Sequence, residues 1–254
     1  MTTTSSWIRL FILIGLMMVL FAALVRLLAR SRRRVRSSRE ADQRLRELHA
    51  QLRLKYGTFE DEFPEQMMAA RYIQPNDRVL ELGGNIGRNS LIIASLLHDP
   101  RQLVTLESDP NIARQLDENR QENRLPFHIV CAALSAQPLI QSGWNTMPYP
   151  PGEPIPEGFQ PVATVDLQTC QQLVVHPFTT LVADCEGALF YILRDFPEML
   201  TGMQTVILEN DYTDRSHKDA VDERLRQYGF ECDYREAGGW GPCTDCFFEV
   251  WVKK

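Results

Sequence analysis

The chain has 254 residues, with 27 Lys+Arg against 33 Asp+Glu for a formal net charge of −6, and six cysteines. The charge is unevenly divided: residues 1–55 hold twelve Lys+Arg and three Asp+Glu, and the rest of the chain fifteen and thirty. So acidic a body repels phosphate backbones, which argues against nucleic acid as a partner, and its length suits one domain of ordinary size.

Leu10 to Val25 is uninterrupted apolar sequence flanked by Arg9 and Arg26. With both arginines able to snorkel, the run reaches the roughly 20 residues a bilayer core requires, so residues 1–29 read as a transmembrane anchor. Arg30, Arg32, Arg33, Arg34, Arg36 and Arg39 follow the run. That order fits a retained anchor better than a cleaved signal, and the positive-inside rule puts everything after it in the cytosol. Organelle-targeting segments share this Arg- and Ser-rich composition, which leaves an organelle membrane open. Residues 30–57 form a basic linker in which Leu45, Leu48 and Leu52 recur at helical spacing before Gly57, as a spacer or as a face for anionic lipid.

From residue 58 onward the pattern is that of a single α/β domain. "RVLEL" (78–82) reads as a strand, "NSLIIASLL" (89–97) as a helix, and "LVTLE" (103–107) as a second strand. A helix with Pro110 in its first turn and a third strand "FHIVCAAL" (127–134) follow. Residues 136–164, rich in Pro and Gly and without periodicity, read as a long loop. "TTLVADCEG" (179–187) supplies a fourth strand leading into a helix, and "TVILEND" (205–211) a fifth. A helix capped by Ser216 and closed by Gly229 comes next. "FECDYRE" and "CFFEVWV" are the last two strands, an antiparallel finishing pair. Such alternation implies a parallel sheet covered on both faces.

Ligands of such sheets bind at the carboxyl ends of the strands, where the first strand here runs into "LELGGNIGRNS". A dinucleotide fingerprint would require glycine at Asn85 and Arg88, which disfavours a nicotinamide-dependent reductase, and a Walker loop would require G-K-[ST]. What remains is Glu81 before the turn Gly83, Gly84, Asn85, Gly87, and Glu107 at the end of the second strand. Glu107 stands where an acceptor takes both ribose hydroxyls of an adenosine. Glu81 suits an ammonium, and the helix N-terminus after the turn suits a carboxylate. An amino acid joined to adenosine without phosphate is S-adenosylmethionine. Ala132, within the third strand, is counted with these cofactor-binding residues.

The blocks "LELGGNIGRNSLIIASLL", "VTLESDPNIARQLDENRQENRL", "IVCAALS", "VATVDLQTC", "LVADCEGALFYILRDFPEML" and "TVILEND" resemble, in order, those of FkbM-type S-adenosylmethionine-dependent methyltransferases over about Val79 to Asp211. The resemblance implies a Rossmann-like class I methyltransferase fold, a seven-stranded sheet with an antiparallel last strand. It also implies methyl transfer to a hydroxyl, with sugars and glycolipids as common acceptors. Two positions depart from the family pattern: Ser108 replaces Pro, and Leu189 replaces the second Glu of E-G-A-E.

A base for a hydroxyl acceptor must lie on the carboxyl edge of the sheet, which leaves His217 alone among the histidines. The acid pair Asp184 and Glu186, ending the fourth strand and matching the family's D-x-E-G, is the leading catalytic candidate. Asp184 would orient the cofactor or acceptor, and Glu186 would act as base or acceptor-binding group. Glu209, Asn210 and Asp211 end the fifth strand near them. Trp144, Tyr149, Trp240 and Cys243 are candidates to line the acceptor pocket. The cysteines stay reduced in a cytosolic domain, and the lone C-x-x-C at Cys243 and Cys246 lacks the second ligand pair that zinc needs, so no metal is assigned. The competing reading is a non-catalytic, membrane-tethered module that keeps the cofactor cradle.

Overall fold

The computed structural model describes residues 38–150 and 152–254. The expected anchor at residues 1–29 and the Arg cluster up to Arg36 lie outside the described residues, among which no helix is long and apolar enough to cross a membrane. The chain divides into two compact units, Met1–Gln43 and Arg44–Lys254. The second holds every strand among the described residues.

Helix α1 (residues 38–51) ends before Gly57, the stop that the spacing suggested. Its second half is fastened to the domain: the His49 ring stacks on Phe59 at 4.7 Å and bonds the Gln66 Oε1 at 2.6 Å, while Leu45 is buried. Beyond it the backbone is pinned by Asn119, whose Oδ1 accepts from the N–H of Lys55 and Tyr56 and whose Nδ2 donates to the carbonyl of Ile86. One fully buried amide thus joins the entering segment to the glycine turn. Helix α2 (Phe63–Tyr72) follows, with Pro64 in its first turn.

Strands β1 (Val79–Leu82), β2 (Leu103–Leu106) and β3 (His128–Val130) pair in parallel, linked by helices α3 (Arg88–Leu96) and α4 (Pro110–Glu122). Asp109 caps α4 by accepting from the N–H of Asn111 and Ile112. The expected third strand is broken in two: β3 ends at Val130, and β4 (Ala133–Leu134) leaves the main sheet to pair with β8 (Thr164–Val165).

The Pro- and Gly-rich stretch, expected to be a loop, is instead a second sheet. Strands β5 (Leu139–Ser142), β6 (Asn145–Pro148) and β7 (Gln160–Val162) pair antiparallel in the order β6-β5-β7. Gly143, at φ 56°, opens the two-residue turn between β5 and β6, the place where a tight hairpin needs a residue free to adopt positive φ. The strands carry mixed, mostly solvent-facing residues, so they show no hydrophobic alternation.

After helix α5 (Leu167–Gln171), strand β9 (Thr180–Ala183) pairs with β1, and β10 (Thr205–Glu209) pairs with β9, both in parallel. Helix α6 (Leu189–Asp195) lies between them, and α7 (Arg215–Gln227) follows β10. The cap of α7 is Asp214, whose carboxylate accepts from the Ser216 N–H; the expected cap, Ser216, lies inside the first turn. Strands β11 (Phe230–Glu236) and β12 (Phe248–Lys253) finish the sheet, with β12 antiparallel to both β10 and β11. The order is β11-β12-β10-β9-β1-β2-β3, so chain order reverses between β1 and β9.

β1, β2 and β9 are buried along their whole length because helices and loops cover both faces, which is why they read as apolar runs without alternation. Lys218 and Glu249 sit inside this apolar packing 2.8 Å apart, and Glu249 is further held by Arg235 at 2.6 Å and by the Trp251 Nε1 at 3.0 Å. A carboxylate this deep is tolerable only with such partners, whose charges hold it below the usual carboxylate range against the effect of burial.

Candidate active site

The turn after β1 is shaped by two close approaches. The N–H groups of Gly83 and Gly84 both donate to the carbonyl of Leu106, and a Cβ on Gly83 would lie 1.6 Å from the carbonyl oxygen of Asp184. Gly83 has φ +87°, so the residue is fixed twice, by backbone conformation and by the strand end pressed against it. A Cβ on Gly84 would lie 2.4 Å from the Thr105 Oγ1, and one on Gly87 3.2 Å from Leu116. The glycines therefore serve strand crossing and helix packing as well as any ligand.

Asn85 and Arg88, where a dinucleotide fingerprint would have glycine, grip the segment arriving from α1. Glu62 accepts from the Asn85 Nδ2 at 2.8 Å and from the Arg88 Nη1 at 2.7 Å, and the Arg88 Nε donates to the Thr58 carbonyl at 3.0 Å. Asn85 takes a left-handed φ of 46° and its own Oδ1 accepts from the Ile86 N–H. The turn is thus covered from the side of residues 58–62.

Glu107 ends β2 and is nearly buried. One carboxylate oxygen accepts from the Asn85 N–H and the other from the Asp109 N–H, each at 2.9 Å. Burial raises its pKa and the two amides pull it back, so the side chain is held in one orientation with lone pairs to spare. Glu81 behaves differently. It is buried under the turn, takes the Ser90 hydroxyl at 2.5 Å, and is pushed by burial up to about 7.

A cavity of about 890 Å³ opens at the carboxyl edge of the sheet, next to the β1/β9 reversal. Of the expected cofactor residues, Gly83, Asn85, Glu107 and Ala132 line it; Glu81, Gly84 and Gly87 do not, and shape the turn from beneath. Asp184 and Glu186 both line it, the first straight off β9 and the second in a left-handed turn at φ 52°. Leu189, in place of the family's second acid, is the first residue of α6 and belongs to the core.

The cavity floor is acidic. Glu65 of α2, Asp184 and Glu209 bring carboxylate oxygens within 4.8 Å of one another. Burial first, and then the neighbouring acids, raise Asp184 well above the usual range; burial and contact with Glu65 push Glu209 up to about 11. Asp211 stands behind them, lifted to about 7 by burial and by Glu186 while accepting from the Gly187 N–H at 2.6 Å. Glu65 and Glu62 carried no signal in the sequence, since nothing in a helical segment ahead of the first strand indicates that it folds back over the site.

The mouth is aromatic. Trp144, Tyr191 and Trp240 line it and are half exposed, with Met147 beside them. Trp144 comes from the β5–β6 turn. Tyr149 and Cys243 do not line the cavity: the Tyr149 hydroxyl donates to the Glu153 carbonyl, and Cys243 is buried in the 3₁₀ turn Gly241–Cys246. His217 stacks on Phe190 at 3.9 Å and is not on the cavity wall. All six cysteines are free thiols.

The strand order, parallel except for β12, is that of a seven-stranded Rossmann-like α/β sheet. No family model matches the sequence, and no curated protein matches it. Solved structures similar to this chain include a ribosomal protein L11 methylase from Lactobacillus delbrueckii subsp. bulgaricus, with TM-score 0.47, 12% identity, and 79% of this chain and 82% of that chain covered. An rRNA methylase from Streptococcus thermophilus has TM-score 0.44 at 10% identity over 74% of this chain and 93% of its own. A fibrillarin from Aeropyrum pernix, in complex with natively bound S-adenosyl-L-methionine, has TM-score 0.44 at 12% identity over 76% of this chain and 75% of its own.

Proposed function

We propose that the protein is an S-adenosylmethionine-dependent methyltransferase of FkbM type, acting on a hydroxyl of a sugar, glycolipid or similar small acceptor and held at a membrane by its apolar N-terminal segment. One observation supports this most: Glu107 is fixed by two backbone amides at the end of β2, on the wall of a cavity that also presents the glycine turn. The residues fit the cofactor, because Glu107 keeps free lone pairs for ribose hydroxyls, and Gly83, Asn85 and Ala132 leave the wall beside it without bulky side chains. Glu81, engaged by Ser90, would act on the ammonium only through the shape of the turn.

When bound, S-adenosylmethionine supplies an electrophilic methyl group on a sulfonium. The protein's own contribution is positioning: Asp184 and Glu186 face the cavity where an acceptor hydroxyl would be held, and a carboxylate there accepts its proton. Glu186 is the better base, being the more exposed of the two and thus less penalised when ionised. Trp144, Tyr191 and Trp240 offer flat apolar faces to a pyranose ring, whose hydroxyls the acids beneath can accept. That acid lining disfavours a polyanionic acceptor, so nucleic acid is not proposed as substrate.

The experiment is incubation of membrane and soluble extracts with methyl-labelled S-adenosylmethionine, with and without the full-length protein. Labelled glycan or lipid supports the proposal. Cofactor binding with no labelled product from any extract would favour the tethered, non-catalytic module instead.

A further inference from the structure

We propose that Glu65, Asp184 and Glu209 form a binding site for a divalent metal cation inside the cavity. The site goes beyond methyl transfer and does not depend on it. The three carboxylates come from three separate elements, helix α2 and the ends of β9 and β10, and their oxygens lie within 4.8 Å of one another. An oxygen ligand stands about 2.0–2.6 Å from Mg²⁺, Mn²⁺ or Ca²⁺, so two ligands of one ion are at most about 4–5 Å apart. The observed spacing meets that limit for Ca²⁺, and for the smaller ions the carboxylates would close by a few tenths of an ångström.

A second observation points to a ligand. Glu65 is only 6% exposed, its Oε2 is buried with no N–H or hydroxyl donor, and the side chain's polar contact in the cluster is another acid, Glu209. Buried carboxylate oxygens are ordinarily satisfied, and one without a donor marks a place where a positive group is wanted. The protein supplies none: among the described residues no Lys, Arg or His forms an ion pair with any of the three acids, whereas Glu62, one turn earlier, is paired to Arg88. Glu249, at the far side of the sheet, shows the alternative of a buried acid with its own cations, Lys218 and Arg235.

The donor set defines the ion. Three carboxylates without sulfur or imidazole suit a hard cation that prefers oxygen, and the remaining positions would be water.

The test uses the full-length protein in detergent, stripped with EDTA and titrated with Mn²⁺ while the free-ion paramagnetic resonance signal is followed. We expect one Mn²⁺ per chain with Kd below about 1 mM, displaced by Mg²⁺ or Ca²⁺. Glu65→Gln and, separately, Glu209→Gln should each weaken binding at least 10-fold while leaving the melting temperature unchanged or raised, because glutamine keeps the shape and lessens the crowding of acids. Exposed Glu198→Gln should bind as wild type. No Mn²⁺ uptake at 1 mM, uptake untouched by both cavity variants, or thermal protection by methylammonium but not by Mn²⁺ would overturn the proposal. Calorimetry of S-adenosylmethionine on the same stripped sample separates the two ideas. Cofactor binding without Mn²⁺ uptake sinks the metal site alone, and Mn²⁺ uptake without cofactor binding sinks the methyltransferase reading alone.

Discussion

Glu81→Gln should make the protein more stable at alkaline pH and nearly remove one component of its pH dependence. Glu81 is fully enclosed under the turn and its pKa is pushed by burial up to about 7, from an ordinary 4.5. Since the folded pKa is the higher one, the carboxyl's contribution to stability is fully present below about pH 4.5 and is lost as pH rises through 7. The total swing is about 3 kcal/mol at about 1.4 kcal/mol per pKa unit, and about 2 kcal/mol of it falls between pH 5.5 and pH 8. Glutamine keeps the shape and can still bond the Ser90 hydroxyl, which now rotates to accept or donate, but it has no charge to desolvate. Denaturant titrations followed by tryptophan fluorescence at pH 5.5 and pH 8 should therefore show the variant gaining on wild type by about 2 kcal/mol across that interval. A stability difference that is the same at both pH values would show that Glu81 does not titrate as its burial requires.

Gly83→Ala should fail at folding and not merely at binding, because the new Cβ would collide with the Asp184 carbonyl at 1.6 Å on a backbone at φ +87°; little soluble protein should be recovered on expression. Glu107→Gln, by contrast, should fold with a loss of about 1–3 kcal/mol, from turning an amide NH₂ against a backbone N–H, and should weaken cofactor binding at least 10-fold by calorimetry. Lys218→Met should cost about 3–5 kcal/mol by thermal melt, as it leaves Glu249 with Arg235 alone on its charge, and adding Glu249→Leu should recover part of the loss. Leu189→Glu, restoring the acid of the resembled family, should lower stability by more than about 3 kcal/mol without raising turnover, since the position faces the core.

Much of the main sheet was legible because its strands are short apolar runs between capped helices: "VLEL", "LVTL", "TLVA" and "TVILE" could hardly be anything but buried strands. The small sheet over the cavity was not. Its strands at residues 139–148 and 160–162 face mostly solvent and include prolines, so neither alternation nor β-branched enrichment marks them, and Gly143 at the hairpin turn was the one local sign. The reading of Ser216 as a cap failed because the preceding Asp214 is the stronger acceptor at the right offset. In the site, Glu107, Asp184 and Glu186 reach the cavity because residues at strand ends are placed by topology. Glu81 sits one residue from the strand end and points beneath the turn instead. Glu62 and Glu65 come from a helix that precedes the sheet in sequence and folds back on it, a long-range event that local spacing does not encode.

The most direct measurement is a crystal structure of the full-length protein grown with S-adenosylhomocysteine, the product form of the cofactor. The ribose hydroxyls should lie within hydrogen-bond distance of Glu107, and the sulfur should face Asp184 and Glu186. A nucleoside bound elsewhere, or a cavity left vacant at saturating ligand with Glu107 still holding only the Asn85 and Asp109 amides, would contradict it.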